Sequence, residues 1–385
     1  RLAPAARQGG AGYREGALTF LEGMRRQTVA RAEAALRLMV RHPVDALCAV
    51  FYAPDRVQHY FWHYANPDQA SGAARDPEIE RALAAVYAAL DAAVGDLVAA
   101  AGPEARVVVL SDHGFTNSPG RAVHINRWLA DEGLLHQRPF WSLRRKIVRK
   151  VLPSGLRTRY DTTDHILVNR AKTRAWSEAI FTSTAGVWVH LAGKYPLGSV
   201  RPGTDYEEVR SRICDGLRAL RADDGELVFE RVDRREDVYR GPFVTEAPDV
   251  VAVCRPRFGV VFESQRRDLR AGGLFSPYTE LGYTGTHESE GIYLFAGPGV
   301  RALGKGDEYP IEAIAPTVLH LLGIAVPRSM EAPACTFVLT DEYATRHPLQ
   351  FVEDEEETVG EVPAWRSDED EASVADHLRG LGYLE

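Results

Sequence analysis

The sequence predicts an α/β fold, a mostly parallel sheet with helices on both faces. Three observations predict it. Helical and strand-like patterns alternate toward both ends of the chain, strand-like runs are followed directly by charged side chains, and the middle has a different texture that reads as an inserted cap.

Residues 15–41 place Leu18, Leu21, Met24, Val29 and Ala32 at helical spacing and read as a long helix. The short apolar run 45–52, DALCAVFY, reads as a buried strand. Asp76-Pro77 is a helix-start signal and Gly102-Pro103 a stop, so 76–101 reads as a second helix. RVVVL at 106–110 is strongly β-branched and runs into Ser111-Asp112-His113-Gly114. From about 130 to 280 the pattern changes: a basic amphipathic stretch at 140–160, a strand-like segment at 186–191, a helix at 205–220 and a strand at 249–254. The sheet pattern returns at 291–296, GIYLFA, and a core helix follows at 311–322. We therefore divide the chain into 1–130, the first part of the core and incomplete at its start; 131–280, a cap mixed with core elements; 281–345, the last part of the core; and 346–385, an acidic tail ending in a short apolar segment.

Hydrophobic residues make up 45% and charged residues 26% of the 385-residue chain, proportions that place it among globular proteins. No unbroken run reaches the ~18 apolar residues that span a bilayer. Ten acids and one base lie between Glu353 and Glu371, so the net charge of −8 resides almost wholly in the tail. A neutral body with an acidic tail excludes a nucleic-acid platform. Cys48, Cys214, Cys254 and Cys335 are scattered without a CxxC pair, which argues against a thiolate zinc site and for small buried hydrophobes in a reducing compartment. The chain begins with Arg1, has no signal-peptide order in its first thirty residues, and reads as a processed or truncated product; a cytoplasmic location is the expectation.

Three separate places supply metal-ligand side chains: Asp55-x-x-x-His59 after the run 45–52, Asp112-His113-Gly114 after RVVVL, and Thr286-His287 in the loop GYTGTHESEG. In open α/β sheets, ligands gather beyond the carboxyl ends of strands. Each piece alone is weak, since D-x-x-x-H is commonly a surface ion pair or a cap and a histidine in a glycine-rich loop is commonly a turn residue. Together they suit a borderline metal that takes imidazole nitrogen and carboxylate, zinc or manganese. Asp55, His59 and His287 would form one three-ligand site, and Asp112 with His113 half of a second. Two such ions ~3.5–4 Å apart can clamp an in-line displacement at phosphorus.

The order D-x-x-x-H, SDHG, G-T-H resembles the alkaline phosphatase superfamily, which includes type I phosphodiesterases (nucleotide pyrophosphatases), cofactor-independent phosphoglycerate mutases and sulfatases. DRVQHYFWHY (55–64), SDHGF (111–115), HINRWLADEGLL (124–135), LAGKYPLGSV (191–200), HESEGIYLFAGPGV (287–300) and IAPTVLHLLGIAVP (314–327) carry the resemblance, which is nearest to the predicted phosphohydrolase/phosphomutase branch. It implies two catalytic metal ions, held by Asp55, His59 and His287 and by Asp112 and His113. It also implies a further Asp at the end of the first strand and a Thr or Ser nucleophile on the next helix, both upstream of everything seen here. Thr19 and Thr28 lie inside the predicted first helix and do not substitute. The expectation is a metal-dependent phosphoric ester hydrolase, diesterase or monoesterase, whose 385-residue chain binds metal weakly at the second site and turns over poorly. A phosphomutase, or an inactive binding or regulatory module, are the alternatives. A sulfatase would need a C/S-x-P-x-R segment, which is not present.

Further residues carry weaker expectations. His63 follows His59 by one helical turn and is assigned to packing or to support of the ligands. His124 and Asn126 could reach substrate or cap a turn. Ser111 and Thr116 could hydrogen-bond the ligands. Tyr60, Phe61, Trp62 and Tyr64 could line a pocket, although such spacing usually marks a core. The basic stretch 144–159 could meet an anionic membrane surface or a phosphorylated substrate. A solvated face is favoured, because one short basic helix anchors weakly.

Overall fold

The computed structural model describes residues 12–66, 75–137, 168–260, 273–278 and 283–353. The basic stretch 144–159 and nearly all of the acidic tail lie outside the described residues. In chain order the main elements are α1 (Tyr13–Arg41), α2 (Ala53–Ala65), α3 (Pro77–Ala101), β1 (Val107–Leu110), β2 (Gly114–Asn117), β3 (Arg121–Val123) and α4 (Ile125–Asp131). They continue with β4 (Ala175–Phe181), β5 (Thr184–Val189), α5 (Thr204–Ala219), β6 (Phe229–Arg234), β7 (Val250–Cys254), β8 (Phe258–Val260), β9 (Phe275–Pro277) and β10 (Gly285–Glu288). The last are β11 (Tyr293–Ala296), α6 (Ile314–Leu321), β12 (Val326–Pro327), α7 (Asp341–Arg346) and β13 (Phe351–Val352). Two compact units arise. One holds the chain up to Arg37, Ala49–Leu97 and His113–Ile292; the other holds Leu38–Cys48, Val98–Asp112 and the chain from Tyr293 onward.

In the first unit, α1 buries Ala17, Phe20, Leu21 and Met24 on one stripe, the three-to-four spacing of an amphipathic helix. These side chains meet Val57 and Phe61 of α2 and Ile79, Leu83 and Val86 of α3 in one apolar cluster. Asp76 caps α3, its Oδ1 accepting from the Glu78 amide at 2.8 Å. By length and composition α3 is apolar enough to cross a bilayer. Alanines supply much of that character and Asp91 and Asp96 interrupt it; Ile79, Leu83 and Val86 pack in the three-helix cluster, while Tyr87 and Val98 are exposed. The consequence for α2 is orientation: with Val57 and Phe61 buried at zero exposure, Asp55 and His59 project from another face, one helical turn apart.

A larger core lies beneath the four-stranded sheet β4-β5-β7-β6, whose neighbouring strands are all antiparallel. Ile213, Cys214 and Leu217 of α5 pack with Val187, Val189, Val250 and Ala252 of this sheet. A second sheet places β3 between β8, which is parallel to it, and β9, which is antiparallel. β2 and β10 form an antiparallel pair with His287 opposite Phe115 and Glu288 opposite Gly114. In the second unit β1 pairs antiparallel with β11, β12 pairs parallel with β13, and Ala313, Cys335, Val338, Leu339 and Tyr343 form a small core.

The α/β class stands, and the helices and most strands fall within a few residues of their expected bounds. Strand orientation differs from the expectation of a mostly parallel sheet: among the described strands only β3–β8 and β12–β13 are parallel. The strands between residues 175 and 254 return through tight connections or across α5 to an antiparallel neighbour, which a run of apolar residues does not encode. The run 45–52 is not a strand. It has no ladder partner among the described residues, and Leu47, Val50 and Tyr52 are exposed; an apolar run becomes a strand only where another strand satisfies its backbone. Cys48 is likewise exposed, whereas Cys214, Cys254 and Cys335 are buried as expected.

Candidate metal centre

α2 begins with Pro54 in its first turn and carries Asp55 and His59 one turn apart. The amide of Thr284 donates to the His59 carbonyl at 2.7 Å, tying the glycine-rich loop to α2. The β2–β10 ladder then sets His287 beside the segment that begins with His113. Two glycines permit this closeness. A Cβ at Gly114 would run into the Glu290 backbone carbonyl, and a Cβ at Gly285 would lie 2.5 Å from the Phe115 ring and 2.6 Å from Trp62 Cβ.

The result is a cluster of ligand atoms. His287 Nε2 lies 3.0 Å from Asp55 Oδ1 and 3.0 Å from His59 Nε2. His59 Nε2 is 3.4 Å and His113 Nε2 4.0 Å from Asp55 Oδ1. The His113 and His287 rings are tilted by 32° with centroids 3.9 Å apart. His59 Nδ1 donates to the Gly285 carbonyl at 3.2 Å and His113 Nδ1 to the Gly114 carbonyl at 3.0 Å. A carbonyl only accepts, so each proton sits on Nδ1 and each Nε2 presents a lone pair to the cluster. Burial pushes the Asp55 carboxyl upward, but the adjoining His287 and His59 rings outweigh it and hold the group well below the usual carboxylate range.

This donor set fits a divalent ion. Ligand atoms around a zinc-sized ion at ~2.0–2.2 Å stand roughly 3.3 Å apart in a tetrahedron, against the 3.0–4.0 Å found here. Asp55, His113 and His287 satisfy the ligand-atom grouping of a metal site, and His59 adds its nitrogen beside two of them. His113, expected to serve a second ion with Asp112, thus stands within the same cluster as Asp55 and His287. Asp112 falls in the segment of the other unit.

The weaker expectations resolve individually. His63 is buried against Tyr64, and burial, with a smaller push from Arg75, moves it down to about 4. Asn126 donates to and accepts from the Ser177 backbone at 2.8 Å each way, stitching α4 to β4, and His124 Nε2 lies 2.8 Å from Ser276 Oγ. Phe61 and Tyr64 belong to the three-helix core, while Trp62 Nε1 donates to Asn117 Oδ1 at 2.8 Å. Thr116 stands opposite Thr286 in the β2–β10 ladder. Sequence reasoning missed the aromatic wall of the centre. Phe115 and Phe181 stand 5.6 and 5.0 Å from the His287 ring, and Tyr283 stacks on His59 at 4.4 Å. The Phe of SDHGF was a local signal for the first; nothing local marked Phe181, which β4 delivers from the cap region.

Aspartate and histidines from three distant segments converge in a group that could hold a metal ion. A family model described as type I phosphodiesterase / nucleotide pyrophosphatase matches residues 15–289, and the chain belongs to that family. Among solved structures it is similar to phosphonoacetate hydrolase from Sinorhizobium meliloti 1021 in complex with phosphonoacetate, at 15% identity and a TM-score of 0.39, covering 73% of this chain and 53% of that one. It is also similar to murine ectonucleotide pyrophosphatase / phosphodiesterase 5, at 13% identity and a TM-score of 0.40, covering 81% of this chain and 64% of that one. The chain thus spans about half the length of the first, 53%. No curated protein matches it.

Proposed function

We propose that this chain takes part in metal-dependent hydrolysis of phosphoric esters at the centre formed by Asp55, His59, His113 and His287. The observation that carries the reading is the convergence of Asp55 Oδ1 with the Nε2 atoms of all three histidines, two of them with their Nδ1 protons committed to backbone carbonyls. Membership of the phosphodiesterase family supports the reaction class. A mixed nitrogen and carboxylate set suits zinc or manganese. When bound, such an ion supplies Lewis acidity toward a phosphoryl oxygen. Asp55 contributes the negative charge and remains ionised near neutral pH. His59 and His113 are oriented by their Nδ1 bonds to backbone carbonyls, which turns each Nε2 toward the cluster. Phe115 and Phe181 pack beside the His287 ring and Tyr283 stacks on His59, which supports the ring orientations. A second ion with Asp112 and His113 extends the proposal and rests on the sequence order of the three motifs.

The test is metal content by elemental analysis after loading with zinc or manganese, measured beside hydrolysis of bis-p-nitrophenyl phosphate and p-nitrophenyl phosphate. The expected outcome is stoichiometric metal in the wild type, its loss in Asp55→Ala, and ester cleavage that tracks the metal. Full metal retention in Asp55→Ala would remove the centre from the proposal. Release of inorganic phosphate to water, rather than return of the phosphoryl group to substrate, separates hydrolase from mutase.

A further inference from the structure

His287 enters the ligand cluster from β10, a strand supported along one edge: β2 pairs with it, and no other described strand does. A ligand must be held to within about 0.5 Å to keep its geometry, and that takes contacts beyond its own short ladder. The turn between β4 and β5, Thr182-Ser183, supplies them.

Successive side chains leave a strand on opposite faces, so Thr286 and His287 point apart. Two consecutive residues of the cap meet them one each. Thr182 Oγ1 lies 2.5 Å from Thr286 Oγ1. The Phe181 ring stands 5.0 Å from the His287 ring and 6.2 Å from that of His113. Thr286 is 6% exposed, and a hydroxyl so buried needs a partner. The approach of the turn is set by a break in the β4–β5 ladder, whose register shifts between Ala179 and Phe181. Such a bulge re-aims the side chains that follow it. The turn is also anchored from behind. The Thr182 carbonyl accepts from the Val260 amide of β8 at 2.7 Å, and the Ser183 carbonyl from the Cys254 amide of β7 at 2.8 Å. Gly259 admits this contact, since a Cβ there would lie 3.1 Å from the Thr182 carbonyl oxygen. Thr182 is therefore fixed through its backbone and free to fix another residue through its hydroxyl.

We propose that Thr182 is a positioning residue for His287. Its hydroxyl holds Thr286, and with it the part of β10 that carries the ligand, so the cap region sets the His287 geometry together with β2. The inference rests on the metal reading of the centre. A packing role alone would need the shape of Thr182 and not its oxygen.

The experiment compares Thr182→Val, which keeps the shape and removes the hydroxyl, with Thr182→Ser, which keeps the hydroxyl, with Thr286→Val, and with the double valine variant. Three quantities are read: zinc affinity by competition with a chromophoric chelator, the d–d absorption bands of the cobalt(II)-loaded protein, and amide hydrogen exchange of the β10 peptide in the metal-free protein. Each single valine variant should lower zinc affinity by about 10–100-fold, the range for loss of a group that supports a ligand. Each should also shift the cobalt bands and speed β10 exchange, which reports local opening. Thr182→Ser should restore all three. The double variant should bind zinc no more weakly than either single variant, because both substitutions remove the same bond. Wild-type affinity and exchange in Thr182→Val, a serine variant as impaired as the valine one, or additive losses in the double variant would each overturn the assignment. Absence of zinc binding by the wild type would overturn the metal reading of the centre, and the exchange measurement would still decide whether Thr182 holds β10.

Discussion

His287 Nε2 lies 3.0 Å from Asp55 Oδ1 across 232 residues of chain. Each residue is held there by the long-range packing of the element that carries it. α2 fixes Asp55 because Val57 and Phe61 are committed to the helical core. The β2–β10 ladder fixes His287 opposite Phe115, and the Thr284 amide bond to the His59 carbonyl joins the two supports. The centre is therefore a product of tertiary structure, and its chemistry tests the fold as much as the residues.

His287 is the one histidine placed at 3.0 Å from both Asp55 and His59. His287→Ala should lower metal affinity by more than the 10–100-fold typical for loss of an outer partner, because it removes a ligand atom. Competition with a chromophoric chelator measures this. His287→Ala should leave the thermal midpoint of the metal-free protein nearly unchanged or raise it, since two imidazole nitrogens no longer face each other.

Gly285 is a packing requirement of the same centre. An added methyl would press on Phe115 and on Trp62 Cβ; the Trp62 side is helix-bound and cannot retreat freely. Gly285→Ala should destabilise the protein by about 1–3 kcal/mol, the usual range for overpacking, and should weaken metal binding as well by displacing His59, whose Nδ1 bonds to the Gly285 carbonyl. Urea denaturation and chelator competition read the two effects separately.

The candidate cluster could be picked out because its residue types and order are unusual together: a D-x-x-x-H, a DHG after a β-branched strand, and a G-T-H loop. The helices were legible because periodicity and the Asp76 and Gly102 punctuation are local signals. What the sequence hid is tertiary. The run 45–52 had the composition of a strand, but strands need partners. Strand direction between 175 and 254 depends on where each connection returns the chain, which apolar content leaves open. His113 stands with Asp55 and His287 because β2 pairs with β10, and Phe181 reaches His287 at the end of a cap strand; both placements are long-range contacts that no local spacing encodes.

His63 gives the protein a defined acid sensitivity. Its folded value lies near 4, against 6.5 for the free side chain, because burial disfavours its charged form. The unfolded chain takes up the proton first as pH falls, so the stabilisation is fully present above about 6.5 and drains away toward 4. At ~1.4 kcal/mol per unit, the loss is at most about 3 kcal/mol. Stability measured by urea denaturation between pH 7 and 4 should fall, and His63→Phe should flatten that slope. An identical slope in the variant would assign the acid sensitivity elsewhere.

Asp249 poses the sharpest test of the cap. It is 3% exposed and its carboxylate is shared three ways: Oδ2 accepts from the Val189 amide at 2.7 Å, and Oδ1 from the Tyr206 hydroxyl at 2.6 Å and Arg235 at 2.9 Å. These bonds join β5, α5 and the segment after β6 to the start of β7. Burial, then the Asp249 hydrogen bond and charge, push the Tyr206 phenol far above its ordinary value, so it remains a donor at every accessible pH. Asp249→Ala leaves the phenol and the Val189 amide without their acceptor and takes from Arg235 one of its two carboxylate partners, the other being Glu236; breaking one side of a buried charged network costs about 3–5 kcal/mol. Asp249→Asn retains one acceptor oxygen but sets an NH2 against donors, so its cost should approach that of alanine rather than fall midway. Tyr206→Phe removes a donor and leaves the carboxylate two partners, and should cost only about 1 kcal/mol. That ordering, read from urea midpoints, distinguishes a network centred on the carboxylate from simple packing, in which the loss of side-chain volume at Asp249 would set the order and asparagine would be nearly neutral.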